Sequence, residues 1–217
     1  MSNPDSSGGR AVTAPVLSVR LFLVDHHHAY RASLRTELSR AFDLVGEAGT
    51  ADAAADEILR ARPDVVLLDV FVHGGAALIG TVHALDPNVQ FLAMSVTETA
   101  YEVMDAMRAG ARGHVRKAAP ATGLTRAILA VHAGDVVVPP RLAGFLLATF
   151  GTPLAAETGA ATHGLSPVQR RVLRGLARGL TRDEIAHELS VPVDAVTAYL
   201  SATVDQLRLL AKQGRLP

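Results

Sequence analysis

Short apolar runs, each closed by a polar residue, alternate along the first two thirds of the chain with stretches of helical spacing. The barest is Asp64-Val65-Val66-Leu67-Leu68-Asp69-Val70, directly after Pro63. Apolar residues that are all Val or Leu, held between two aspartates, are the pattern of a strand buried on both faces of a parallel sheet. Residues 19–24, 44–48, 89–95 and 113–116 read as four more strands. Between them, helical spacing runs over 29–42 through Leu34, Leu38 and Phe42, over 52–61 until Pro63 stops it, and over 76–85 after Gly74-Gly75. It resumes over 98–109, closed by Gly110, and over 121–132. Strands alternating with helices predict an α/β unit with a doubly wound, five-stranded parallel sheet. Asp25, Asp69, Ser95 and Lys117 each follow or end a strand, so parallel strands bring all four to one edge of that sheet, where sites form in such folds.

The pattern changes after Pro139-Pro140. Residues 141–150 predict one apolar connecting helix, and 151–164, rich in Gly, Thr, Ala and Pro, a linker. Ser166-Pro167-Val168-Gln169 is a helix start, with Ser at the N-cap, Pro in the first turn and Gln three residues after the cap. That helix runs to Arg178 before Gly179. Thr181-Arg182-Asp183-Glu184 opens a short helix to Leu189, and Val191-Pro192 breaks the chain before a third helix over 193–207. This order predicts a small all-α helix-turn-helix unit. Beyond it, Leu209, Leu210 and Ala211 either extend the third helix or form a stub.

Composition adds little to this picture. Lys plus Arg balances Asp plus Glu at 21 each, but 13 basic and 15 acidic residues fall in 1–150 against 8 and 6 in 151–217. The drift toward positive charge suits a C-terminal nucleic-acid module. With no cysteine there is neither a disulfide framework nor a thiolate metal site. No apolar run is long enough to span a bilayer, and the polar start over 1–17 reads as a flexible tail, so the expected location is the cytoplasm.

These strings resemble response regulators of the NarL/FixJ type, in which a receiver domain precedes a LuxR-type DNA-binding domain. The likeness rests on Leu23-Val24-Asp25, Val45-Gly46-Glu47-Ala48, Pro63 through Asp69, and Ala109-Gly110-Ala111-Arg112-Gly113 ahead of Lys117. In the second unit it rests on Leu165-Ser166-Pro167, Val172-Leu173, Leu176-Ala177-Arg178-Gly179 and Glu184-Ile185-Ala186. It implies a receiver over 18–135, a linker with a connecting helix over 136–163 and a DNA-binding domain over 164–217. It also implies Asp69 as the phospho-acceptor, Asp25 and Asp69 as ligands of Mg²⁺, and Ser95 and Lys117 as further pocket residues.

The residues depart from the family pattern at defined places. The second pocket acid is His26, the proline four residues after the acceptor is His73, and the aromatic three residues before the lysine is His114. Mg²⁺ takes oxygen ligands, so its site is weakened by the loss of that acid. Three readings of the histidines stand side by side. A protonated His26 replaces the metal charge, the imidazoles build a transition-metal site for Zn²⁺ or Ni²⁺, or the residues are relaxed around an unused pocket. The last is favoured. In the helix-turn-helix unit, the family's recognition lysine and histidine are Thr197 and Tyr199, and no Lys or Arg occurs from Asp183 to Leu207. Polar contacts to DNA then fall to Thr197, Tyr199, Ser201 and Thr203. Arg170, Arg171, Arg174, Arg178 and Arg182 either grip phosphate or form a solvated face.

The expected function is DNA-binding transcriptional regulation without enzymatic activity. Control by a small ligand, a partner or protein level replaces ordinary phosphorylation, and the partners are promoter DNA and a second copy or a related regulator. The alternative is a heterodimer partner that reads little DNA itself.

Overall fold

The computed structural model describes residues 19–97, 99–150 and 164–215. The tail, the 151–163 segment and the expected helix start at Glu98 lie outside these residues. Five parallel strands, β1 (Arg20–Val24), β2 (Asp43–Ala48), β3 (Val65–Asp69), β4 (Gln90–Ser95) and β5 (His114–Arg116), form one sheet in the order β2-β1-β3-β4-β5. Register places Val24 beside Leu68, Asp69 beside Met94, and Ser95 beside Arg116. The strand ends therefore come level at one edge.

Alternation along the strands splits the core into two layers, since successive side chains point to opposite faces. Leu21, Leu23, Val65, Leu67, Leu92 and Met94 pack with Leu34 and Leu38 of α1 (His28–Leu38) and with Leu124, Ile128 and Val131 of α5 (Ala121–His132). Phe22, Val24, Val66, Leu68, Phe91 and Ala93 pack on the other side. There they meet Ile58 of α2 (Ala51–Ala61), Leu78, Ile79 and Val82 of α3 (Gly75–Leu85), and Val103 and Met107 of α4 (Ala100–Ala109). Every residue of β3 is buried, as its apolar run requires.

The second layer does not stop at the sheet. It continues through Leu142 and Leu146 of α6 (Pro140–Phe150) into α7 (Pro167–Ala177), α8 (Arg182–Leu189) and α9 (Val193–Lys212). Ser166 and Thr181 cap α7 and α8 through complete capping boxes with Gln169 and Glu184, as their spacing predicts. Gly175 lets α8 close on α7, because a Cβ there would stand 2.6 Å from Ile185 Cγ1. α9 packs against α4 and runs on to Lys212, so Leu209, Leu210 and Ala211 extend the third helix and form no separate stub. Leu207 and Leu210 are both buried, so the apolar spacing that holds the helix down simply continues.

α1 departs from expectation. It ends at Leu38, and Phe42 is buried from the following turn, where its N–H donates to the Leu38 carbonyl at 2.9 Å. An apolar residue at helical spacing can reach the core without being in the helix. No described helix is long and apolar enough to cross a membrane.

Candidate functional site

Four groups meet at the carboxyl edge of the sheet. Asp25, one residue past β1, and Asp69, the last residue of β3, are both fully buried. Lys117 reaches between them from the end of β5. Its Nζ pairs with Asp25 Oδ2 and stands 3.0 Å from Asp69 Oδ2. His26 Nδ1 approaches the same Asp69 oxygen at 2.8 Å. Backbone groups fix the other oxygens, as the His27 N–H donates to Asp25 Oδ1 at 2.8 Å and the Phe71 N–H to Asp69 Oδ1 at 3.2 Å. Asp69 Oδ2 itself is enclosed and accepts no directed hydrogen bond. Lys117 and His26 are close enough to form ion pairs with it but lie off the hydrogen-bonding direction.

His27 joins this cluster. The chain turns on the Asp25 carboxylate, which brings the His26 and His27 rings to 3.8 Å between centroids. His27 Nδ1 then lies 3.7 Å from Asp25 Oδ1. His73 goes elsewhere. It is exposed on the loop after β3 and is not among the metal-capable groups that converge, which are Asp25, His26, His27 and Asp69.

Ser95 and His114 form a second, drier pair. Both are buried, and Ser95 Oγ is hydrogen-bonded to His114 Nε2 at 2.8 Å. Burial, with a smaller contribution from the Arg116 charge, pushes the His114 imidazole down to about 4, so the ring is neutral at ordinary pH. Tyr30 closes the cluster from α1, its ring 4.7 Å from Lys117 Nζ and its hydroxyl donating to the Lys117 carbonyl at 3.2 Å. Burial and the nearby Asp25 charge push that hydroxyl up to about 12. Sequence reasoning did not single out Tyr30; only its place near the start of α1 beside the histidines hinted at it.

The candidate DNA-contacting residues divide into four groups. Arg171 and Arg174 are exposed on α7, and Arg170 is half-buried. Arg178, at the C-cap of α7, pairs with Glu188 of α8 at 2.9 Å. Arg182 turns inward: its Nη1 pairs with Asp135 and donates to Thr197 Oγ1 at 2.9 Å, while its Nη2 donates to the Val136 carbonyl at 2.6 Å. Arg182 and Thr197 are thus bound to each other and to the chain leaving α5. Tyr199 and Ser201 are half-buried on α9, and Thr203 is buried with its hydroxyl on the Tyr199 carbonyl.

Residues 21–129 match the model of the response regulator receiver domain, half of the chain. The chain belongs to the response-regulator family. Its relatives include DevR/DosR of Mycobacterium tuberculosis, described as a DNA-binding transcriptional activator, at 34% identity over 90% of this chain and 88% of that one. The oxygen regulatory protein NreC of Staphylococcus carnosus is 24% identical over 89% of this chain and 93% of its own. Among solved structures, a LuxR-family response regulator from Aurantimonas sp. SI85-9A1 covers 58% of this chain and 94% of itself at 27% identity and TM-score 0.54. The response regulator ChrA of a heme-sensing two-component system covers 91% of this chain and 98% of itself, at 25% identity and TM-score 0.51.

The sequence resemblance implies a phosphoryl acceptor at Asp69 with Mg²⁺ beside it. The donor set here is a poor match to that ion. Mg²⁺ requires near-ideal octahedral oxygen coordination and binds through carboxylates and water. The side-chain donors that converge are two carboxylates and two imidazoles, and Lys117 stands against both carboxylates.

Proposed function

We propose that this response regulator is a DNA-binding transcriptional regulator whose activity is set by something other than Mg²⁺-dependent phosphorylation of Asp69. The observation that carries the second half is His26, which stands at the position of the family's second pocket acid and approaches Asp69 Oδ2 at 2.8 Å. A metal-assisted phosphoryl transfer needs a divalent ion beside the acceptor. Here the His26 imidazole stands where the family pattern supplies a second carboxylate. Control then falls to a small ligand, a partner or protein level. DNA binding is supported by the capped helix-turn-helix, by the exposed arginines of α7 and by the relation to DevR/DosR. The working unit is a dimer on promoter DNA in the cytoplasm, bounded as a receiver over 18–135 and a DNA-binding domain over 164–217.

The test is incubation of the full chain with a small phosphodonor and Mg²⁺, read by intact mass. The expected result is unmodified protein. Stoichiometric gain of one phosphoryl group, lost in Asp69→Asn, overturns the reading.

A second reading is favoured by α9. It carries no Lys or Arg from its start to Leu207, and Thr197 is held by Arg182. Recognition helices draw on Arg and Lys for the strongest base contacts. A chain lacking them on that helix acts as the weak-reading partner in a heterodimer. Titration against promoter fragments at moderate salt, with and without a related regulator, separates the two. Sequence-specific binding by this chain alone excludes the partner-only role.

A further inference from the structure

We propose that the groove between α5, the chain that follows it and the start of α8 binds a small amphipathic carboxylate, an apolar body with one acidic head. The proposal rests on, and deepens, the reading that control falls to something other than phosphorylation. It gives a ligand a place away from Asp69, and its test has a separate readout.

Three observations carry it. The first is shape. Gly113 and Val137 form a parallel bridge, so the chain leaving α5 is held extended beside β5 and runs on into Pro139-Pro140. On α5, Gly123, Ala127 and Ala130 follow one another at spacings of four and three, which sets them on one face of the helix. With so little side chain on that face, a groove of about 1070 Å³ stays open between α5 and the extended chain. Small-molecule sites commonly occupy roughly 300–1,000 Å³. The second observation is the lining, in which Ala119, Pro120, Val137, Val138 and Pro139 offer an inorganic anion few partners and suit an apolar body. The third is charge. Arg116, Arg126, Arg141 and Arg182 line the groove against two acids, Asp135 and Asp183. Arg182 is taken by Asp135, and Arg141 lies over the Phe145 ring. The guanidinium groups of Arg116 and Arg126 make no ion pair or hydrogen bond among the described residues.

A guanidinium presents a planar fork of N–H groups that matches the two oxygens of a carboxylate. Two such forks at the exposed rim of an apolar groove complement an acid with an apolar tail. The walls come from β5 and α5 on one side and from Thr181, Arg182 and Asp183 at the start of α8 on the other. A ligand seated there holds these walls together beside the Arg182–Asp135 pair. Arg182 in this arrangement also keeps Thr197 of α9. DNA that draws on either residue then competes with the ligand, and the coupling is reciprocal. Bound acid therefore weakens DNA binding.

The experiment titrates the full-length protein by calorimetry with decanoate and with naphthoate, one aliphatic and one aromatic acid. Saturable binding of one acid per chain is expected, with acetate and decanamide, which lack the tail or the charge, at least tenfold weaker. Arg116→Ala combined with Arg126→Ala should weaken the acid at least tenfold. Ala130→Trp, which fills the groove and keeps every charge, should abolish binding. Melting temperatures of the ligand-free variants should stay unchanged. In fluorescence anisotropy the bound acid should weaken duplex DNA binding severalfold in wild type and have no effect in Ala130→Trp. Absence of saturable binding by both acids overturns the site, and so does binding that Ala130→Trp retains. Equal binding of decanoate and decanamide overturns the acidic head, and an acid that binds without changing DNA affinity overturns the coupling. Phosphorylation of Asp69 in Mg²⁺ would instead defeat the reading of control, and calorimetry would still decide the site.

Discussion

Ser95 Oγ and His114 Nε2 share a 2.8 Å hydrogen bond in a space closed to water, on neighbouring strands of the sheet. A neutral ring makes this bond without the cost of a buried charge. Because burial lowers the folded pKa of His114 to about 4, the unfolded chain, with an ordinary histidine near 6.5, takes up the proton first. Stability from this group is therefore complete above pH 6.5, falls as pH drops through that value, and levels off below about 4. The loss between pH 7 and 5 is about 2 kcal/mol. Denaturant titrations at the two pH values in wild type and His114→Gln should show this slope and its reduction in the variant. Burial lowers His83 as well, so the variant keeps a residual slope of the same sign.

The Arg182–Asp135 pair links the start of α8 to the segment after α5, and the same guanidinium holds Thr197 on α9. Removing the carboxylate charge leaves Arg182 available to phosphate. Asp135→Asn should raise affinity for non-specific duplex DNA severalfold and steepen the dependence of log K on log salt by about one unit. Fluorescence anisotropy over a range of salt concentrations measures both. Arg182→Ala in the same background should reverse the gain.

His26→Asp restores an oxygen donor next to Asp25 and removes an imidazole from Asp69 Oδ2. If His26 is what prevents phosphoryl transfer, the variant should gain one phosphoryl group from a small donor in the presence of Mg²⁺, as read by intact mass. The double variant His26→Asp, Asp69→Asn should gain none. Lys117 remains in place in both, so the comparison isolates the identity of one side chain.

Much of this architecture was readable from alternation alone, because burial on both faces leaves strands such as β3 no polar positions except at their ends. The same logic brought Asp25, Asp69, Ser95 and Lys117 to one edge. Two kinds of feature escaped it. His27 joins the cluster because the chain turns on the Asp25 carboxylate, and period-two reasoning fails where a strand ends. Arg182 was read either as a phosphate contact or as part of a solvated face, and its partner Asp135 lies 47 residues earlier, a distance at which no local pattern reports a contact. Phe42 and Leu210 show the remaining limit: apolar spacing marks which residues are buried, not where a helix stops.

Gly113 shows how tightly the sheet is tied to the chain that leaves it. A Cβ at this position would lie 2.3 Å from the Val137 carbonyl oxygen and 2.7 Å from the Val137 nitrogen. Gly113 and Val137 form a parallel bridge, flanked by hydrogen bonds from the His114 N–H to the Val137 carbonyl and from the Val137 N–H to the Arg112 carbonyl, both 3.0 Å. Backbone cannot step aside as a flexible side chain can, so Gly113→Ala must push residues 136–138 away from β5. That displacement should cost about 2–3 kcal/mol, or about 5–10 °C of melting temperature for a chain of this size. It also moves the Val136 carbonyl that accepts from Arg182, so the variant should bind non-specific DNA more tightly, in the same direction as Asp135→Asn. Gly80 provides the control: a Cβ there meets nothing within 4 Å and the residue is helical, so Gly80→Ala should raise stability slightly and leave DNA binding unchanged. Thermal melts and anisotropy on the two alanine variants separate a general glycine effect from the specific closeness of β5 and Val137.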